Sequence, residues 1–99
     1  MCGRFTLRNT GSIASQFGVE VEHNLNAVPS DDILTITRNT DFMRWGFNPH
    51  WARKSINLIN ARYETLNEKP SFRESKRCLI LADGWYEWSN QESLKAPYY

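Results

Sequence analysis

With 99 residues, of which 40% are hydrophobic and 13% aromatic, the chain has material for one small domain, residues 1–99, with a modest core. A formal net charge of +1 excludes nucleic-acid binding by bulk charge, so any such contact must come from a local patch. Cys2, Cys78, His23 and His50 form neither a disulfide framework nor a spaced ligand set, so neither a metal nor another cofactor is expected. The opening "MCGRFTLRNTGS" holds no apolar signal core, and no apolar run approaches the roughly 20 residues of a membrane span. The expected setting is therefore away from membranes, in a reducing cytoplasm that keeps Cys2 as a thiol.

In chain order, "RFTL" at 4–7 reads as a short strand. "NTGSIASQFGVE" reads as a short helix, capped by Thr10 or Ser12, with Ile13 and Phe17 on one face and Gly18 at its end. "HNLNAVPSDD" clusters Asn, Pro, Ser and Asp and is expected to be loop. "ILTITR" and "FMRWGF", joined by "NTD", form a hairpin signal. "NPHWARKSIN" reads as irregular loop, Leu58–Ala61 as extended, Tyr63–Glu68 as a helical turn that Pro70 ends, and "SFRESK" as a further short helix. "RCLILADGWYEWS" carries the strongest strand signal, with a buried run "CLILA", a turn at "DG" and a second strand. A polar turn "NQESLKA" then leads into "PYY", which pairs back as the start of another strand.

Chemistry concentrates at the N-terminus. A small residue after the initiator methionine usually permits its removal, and Cys2 would then carry a thiol and a free α-amine on one residue. Near neutral pH a part of each group type is in its nucleophilic form. A 1,2-aminothiol condenses with an aldehyde in two steps, an imine and then a five-membered thiazolidine ring. While Met1 remains attached, the Cys2 nitrogen is an amide and no imine forms.

Other residues read in two ways. Asn60 in "LINAR" is a turn asparagine bonded to its own backbone, or an amide that holds a substrate oxygen or orients Cys2. Glu87 in "GWYEW" is the polar face of an amphipathic strand, or a carboxylate partly desolvated by indoles and suited to proton transfer. Strand alternation puts Tyr86 with Trp88 on one face and Trp85 with Glu87 on the other. Arg4 and Arg62 are ordinary surface charge or phosphate contacts, with Arg4 two residues from Cys2. Trp51, beside Arg53 and Lys54, is a loop anchor or a stacking platform for exposed bases.

Taken in this order, "MCGRF", "NAVP", "WGFNPHW", "NARYET", "RCLILADGWYEW" and "PYY" resemble the SOS-response-associated peptidase (SRAP) family, proteins that attach covalently to abasic sites in single-stranded DNA. The resemblance covers the whole chain. It implies an α+β fold, mostly antiparallel and barrel-like, with a few short helices. It implies that Cys2 is the nucleophile, that Asn60 positions the opened sugar or the cysteine amine, and that Glu87 moves protons. Arg4 and Arg62 would grip phosphates, and Trp51 would stack at a junction between single strand and duplex. The implied partner is single-stranded DNA with abasic sites, in the setting of the SOS response to DNA damage and in association with the nucleoid.

Family domains are longer than this chain and carry a further catalytic histidine in an "H.RMP"-like segment; neither His23 nor His50 sits in such a context, so neither inherits that role. The chain reads as the N-terminal portion of the domain, from a truncated gene, a prophage remnant or an expressed fragment. An incomplete sheet would expose apolar surface, which leads to an expectation of self-association or strand exchange. Two other functions stay open beside crosslinking, so enzymatic activity is not assigned. One is an N-terminal-nucleophile cysteine peptidase, in its minimal form removing its own Met1. The other is an inactive fragment that only binds DNA or itself.

Overall fold

Short strands, all paired antiparallel, form the framework of the described residues. The computed structural model describes residues 2–89 and 96–99. Met1 and the polar turn expected at 90–95 lie outside the described residues. The elements are β1 (Phe5–Leu7), α1 (Thr10–Phe17), β2 (Asn24–Ala27), β3 (Asp32–Ile36), β4 (Thr40–Arg44), a 3-10 turn (Tyr63–Thr65), β5 (Leu79–Ile80), β6 (Gly84–Trp85), β7 (Glu87–Ser89) and β8 (Ala96–Tyr98). They form sheets ordered β2-β1-β6 and β4-β3-β5, and a separate β7-β8 pair. This is a small α+β fold of mostly antiparallel strands with one α-helix. Among the described residues the sheets do not close into a barrel.

Two central strands hold it together. β1 is buried at all three positions, and β3 contributes Ile33 and Leu34. Phe5 and Ile33 meet with Ala27 in one cluster, and Leu7 and Leu34 meet with Ile13 of α1 in another. Burying each such side chain is worth about 1.5–3 kcal/mol. The clusters are small. The radius of gyration, 15.4 Å, exceeds the ~13 Å of a compact chain of this length. Phe42, Met43, Leu79, Ile80, Trp85 and Trp88 remain substantially exposed.

The hairpin expected around "NTD" forms with unbroken register, from Asp32↔Arg44 to Ile36↔Thr40. The "WYEWS"–"PYY" pairing also forms, with Glu87 opposite Tyr98 and Ser89 opposite Ala96. Several expectations are overturned. The supposed loop "HNLNAVPSDD" contains β2, because ladder bonds to β1 satisfy a backbone that its polar side chains gave no reason to extend. "SFRESK" is not helical: residues 70–74 form turns closed by Phe72 and Arg73 N–H groups on the Lys69 carbonyl, both at 3.0 Å. "CLILA" is not buried. Only Leu79 and Ile80 are strand, at an edge of the sheet, and they are 66% and 47% exposed.

The cap of α1 is corrected too. Thr10 is the first helical residue, Asn9 holds the N-cap position, and no side chain of the helix caps it. Asp83, distant in sequence, instead braces the chain just before the helix. Its carboxylate accepts the Arg8 N–H and, at 3.1 Å, the Asn9 N–H. These two backbone donors, Arg8 first, hold the Asp83 carboxyl below its ordinary range, with the Arg8 charge adding to the effect. Gly18 ends the helix as expected, in the left-handed conformation at φ 64°, its N–H reaching the Ala14 carbonyl at 3.0 Å.

Candidate functional site

The N-terminal segment is anchored from several directions. Cys2 is half-buried and packs on the Phe5, Ala27 and Ile33 cluster together with Trp45. Its thiol donates to the Arg4 carbonyl at 3.4 Å. The same carbonyl accepts the Tyr86 N–H at 3.0 Å, which carries the β1–β6 ladder one residue beyond its named strands. From 58 positions along the chain, Asn60 Nδ2 donates to the Cys2 carbonyl at 2.9 Å. The turn reading of Asn60 is therefore incomplete, because its amide reaches the N-terminus rather than only its own backbone.

Asn60 is held in place by neighbours the sequence did not single out. Trp45, one residue past the end of β4, donates its indole N–H to the Ile59 carbonyl at 3.0 Å. Its ring lies 5.4 Å from Phe5. The Phe47–Leu58 bridge, with N–H···O bonds of 2.8 and 2.9 Å in both directions, fixes the extended stretch that leads to Asn60. Trp45 thus touches the segment before Asn60 with its indole N–H and the Cys2 cluster with its ring. The signal available in sequence was a tryptophan at the end of a hairpin strand, but its partners are distant. Asn60 also lines an apolar groove of about 310 Å3 with Trp45, Leu58, Phe72, Cys78 and Ile80.

Arg4 is exposed, and its guanidinium donates to Asn26 Oδ1 at 2.6 Å. That bond uses one of five N–H donors and leaves the rest of the fork open to an anion. Asn26, on β2, is a second residue that sequence reasoning passed over, since β2 itself was not expected. Glu87 follows directly on Tyr86, the residue whose N–H bonds Arg4. It is half-buried in β7 opposite Tyr98. The alternation expected across 85–88 fails: Tyr86 and Glu87 are both half-buried, while Trp85 and Trp88 are 59% and 50% exposed. The cause is a change of partner at Tyr86, since β6 pairs with β1 and β7 pairs with β8.

The structure brings Cys2, Arg4 and Asn60 together. Arg62 is exposed at the start of the 3-10 turn, and no described hydrogen bond joins its side chain to that cluster. Trp51 lies apart in the 48–57 loop, 51% exposed, with its indole N–H on the Pro70 carbonyl at 3.5 Å. One edge of its ring is therefore tied down while much of its surface stays open. Among the described residues no group of three His, Cys, Asp or Glu side chains is placed to hold a metal ion. Among them, too, no helix is long and apolar enough to cross a membrane.

A half-buried Cys2 pinned by a distant asparagine, beside an arginine whose fork stays open, makes a candidate site of the chain's own first residues. The chain belongs to the SOS response associated peptidase (SRAP) family, whose match spans residues 1–99. It is 44% identical to the abasic site processing protein YoqW of Bacillus subtilis (strain 168), over 89% of this chain and 48% of the relative. It is 40% identical to the abasic site processing protein YoaM of the same organism, over 94% of this chain and 49% of that protein. The abasic site processing protein HMCES of Xenopus tropicalis matches 58% of the chain at 42% identity, over 20% of its own length. The chain spans about half the length of the bacterial relatives it matches.

Proposed function

We propose that this chain binds single-stranded DNA and joins covalently to abasic sites through Cys2 once Met1 has been removed. The observation that carries the reading is the 2.9 Å bond from Asn60 to the Cys2 carbonyl, which holds the N-terminal residue at a fixed place beside Arg4. Family membership and relatives named for abasic site processing support it.

The opened sugar presents an aldehyde. The Cys2 amine attacks the carbonyl carbon, and the carbonyl oxygen leaves as water to give an imine. The thiol sulfur then adds to the imine carbon, its proton passing to the nitrogen, and the thiazolidine ring closes. The net change is loss of one water, with no oxidant or reductant needed. Asn60 is a positioning residue acting through the Cys2 backbone. Glu87, next to the residue bonded to Arg4, moves the protons of ring opening and imine formation. Arg4 and Arg62 hold phosphates, and the open surface of Trp51 stacks on an exposed base. A missing base offers no edge to read, so recognition is by shape and backbone. The place of action is wherever single strands are exposed on the nucleoid. The uncovered apolar side chains of β4 and β5 favour self-association of the chain at high concentration.

The test is a denaturing gel with a single-stranded oligonucleotide carrying one abasic site, run beside an intact oligonucleotide and a Cys2→Ala variant, with intact mass on each sample. A shifted band for the wild type and the lesion alone, heavier than the protein by the DNA less one water, is the expected result. An adduct that persists in Cys2→Ala, or no adduct from protein shown to lack Met1, overturns the reading.

A further inference from the structure

Cys78 lines two grooves at once. One is the apolar groove that contains Asn60. The other is an open groove of about 900 Å3 between the β3–β4 turn and the start of β5, where Arg38, Asn39, Lys76 and Arg77 come together. The register explains the crowding. Ile36 pairs with Leu79, so the turn at 37–39 and residues 76–78 meet just beyond the end of that ladder. No acidic residue lines this groove. None of the three cations forms an ion pair with a described carboxylate; the described ion pair, His50–Glu74, is elsewhere. All three are exposed. The fold therefore holds unopposed positive charge in a chain whose net charge is only +1.

We propose that this groove is a second DNA contact, taking the phosphodiester backbone of the strand that enters or leaves the Cys2 site. The spread of its cations over residues 38, 76 and 77 suits an extended strand rather than a single small anion, and Cys78 lines both this groove and the Asn60 groove. The proposal rests on the reading that the chain binds single-stranded DNA. It adds to Arg4 and Arg62 a set of cations distant from both in sequence.

Counterion release makes the contribution measurable. Each phosphate neutralised on a single strand adds about 0.7 to the slope of log affinity against log salt. Replacing all three side chains, Arg38→Ala with Lys76→Ala and Arg77→Ala, is expected to lower that slope by about 2. Between about 50 and 200 mM salt the wild type would then lose roughly 20-fold more affinity than the variant does. The assay is fluorescence anisotropy of a labelled, lesion-free single strand, with circular dichroism to confirm that each variant folds. A second variant, Arg38→Lys with Arg77→Lys, keeps the charges and is expected to keep the wild-type slope.

A wild type that binds while the triple alanine variant keeps its slope overturns the groove alone. A wild type that does not bind single strands at low salt overturns the DNA reading and the groove with it. Capture by anionic lipid vesicles that depends on these three residues, with DNA binding unchanged, overturns the choice of partner.

Discussion

Gly84→Ala tests how Tyr99 is fastened to the strand behind Cys2. Gly84 pairs with Thr6 in the β1–β6 ladder and has no positive φ, so its backbone accepts alanine. An added Cβ, however, would lie 2.6 Å from the Tyr99 Cζ and hydroxyl oxygen and 2.8 Å from Cε2. The ring, at the far end of its side chain, moves instead of the backbone, so the cost is what the ring gives up. It loses a 2.7 Å bond to Thr6 Oγ1, packing 5.2 Å from Tyr86, and the Arg8 guanidinium 5.5 Å from its centroid.

A net hydrogen bond is worth about 1 kcal/mol, an aromatic pair about 0.5–1.5, and an exposed cation–π contact about 0.5–1. Thr6 keeps a 3.4 Å bond to the Gly84 carbonyl, so no orphaned hydroxyl adds to the bill. Replacing glycine returns about 0.4–1 kcal/mol through the unfolded chain. The net expectation is a loss of about 2 kcal/mol, a Tm drop of roughly 8–16 °C for a domain of this size. Thermal unfolding followed by circular dichroism reads it. In a Tyr99→Ala background the same substitution should be neutral or slightly stabilising. An equal loss in both backgrounds would refute the reasoning, since the clash would then lie with something other than the ring.

Asn60→Asp keeps the shape of the side chain but turns its donor into an acceptor facing the Cys2 carbonyl. Adduct formation with an abasic strand should slow about five- to tenfold, and a rate equal to wild type would remove Asn60 from the positioning role. Asp83→Asn weakens the clamp on Arg8 and Asn9. The folded carboxyl is held below its ordinary value of 3.8, so its stabilisation is present above that value and is lost as pH falls through the lower folded one. Urea midpoints should therefore separate wild type from variant at neutral pH and converge as the pH falls below 3.8 and through the lower folded value. A gap that stays constant across that range would sink the assignment.

Cys2 was legible as a candidate because amine and thiol would sit on one residue and need no partner to be recognised. The β3–β4 hairpin was legible because its alternation and turn are local. Asn60 was legible only as a candidate: nothing in "LINAR" says which of 98 other residues its amide will meet, and Trp45, which steadies it, showed no sign of that task. The same limit hid β2 and Asn26, since an Asn-rich segment becomes a strand only when β1 offers a ladder.

Sequence by itself determined the residue types at the site, the strand-rich α+β class and the family, because these depend on side-chain chemistry and short-range pattern. Tertiary structure decided which of those residues meet. "CLILA" has the composition of a buried strand, yet burial is a property of what lies across from it, and at this edge nothing among the described residues covers Leu79 or Ile80. The cations at 38, 76 and 77 are unremarkable surface charges in sequence, and they become one groove only because antiparallel register folds the turn of one hairpin onto the start of another strand.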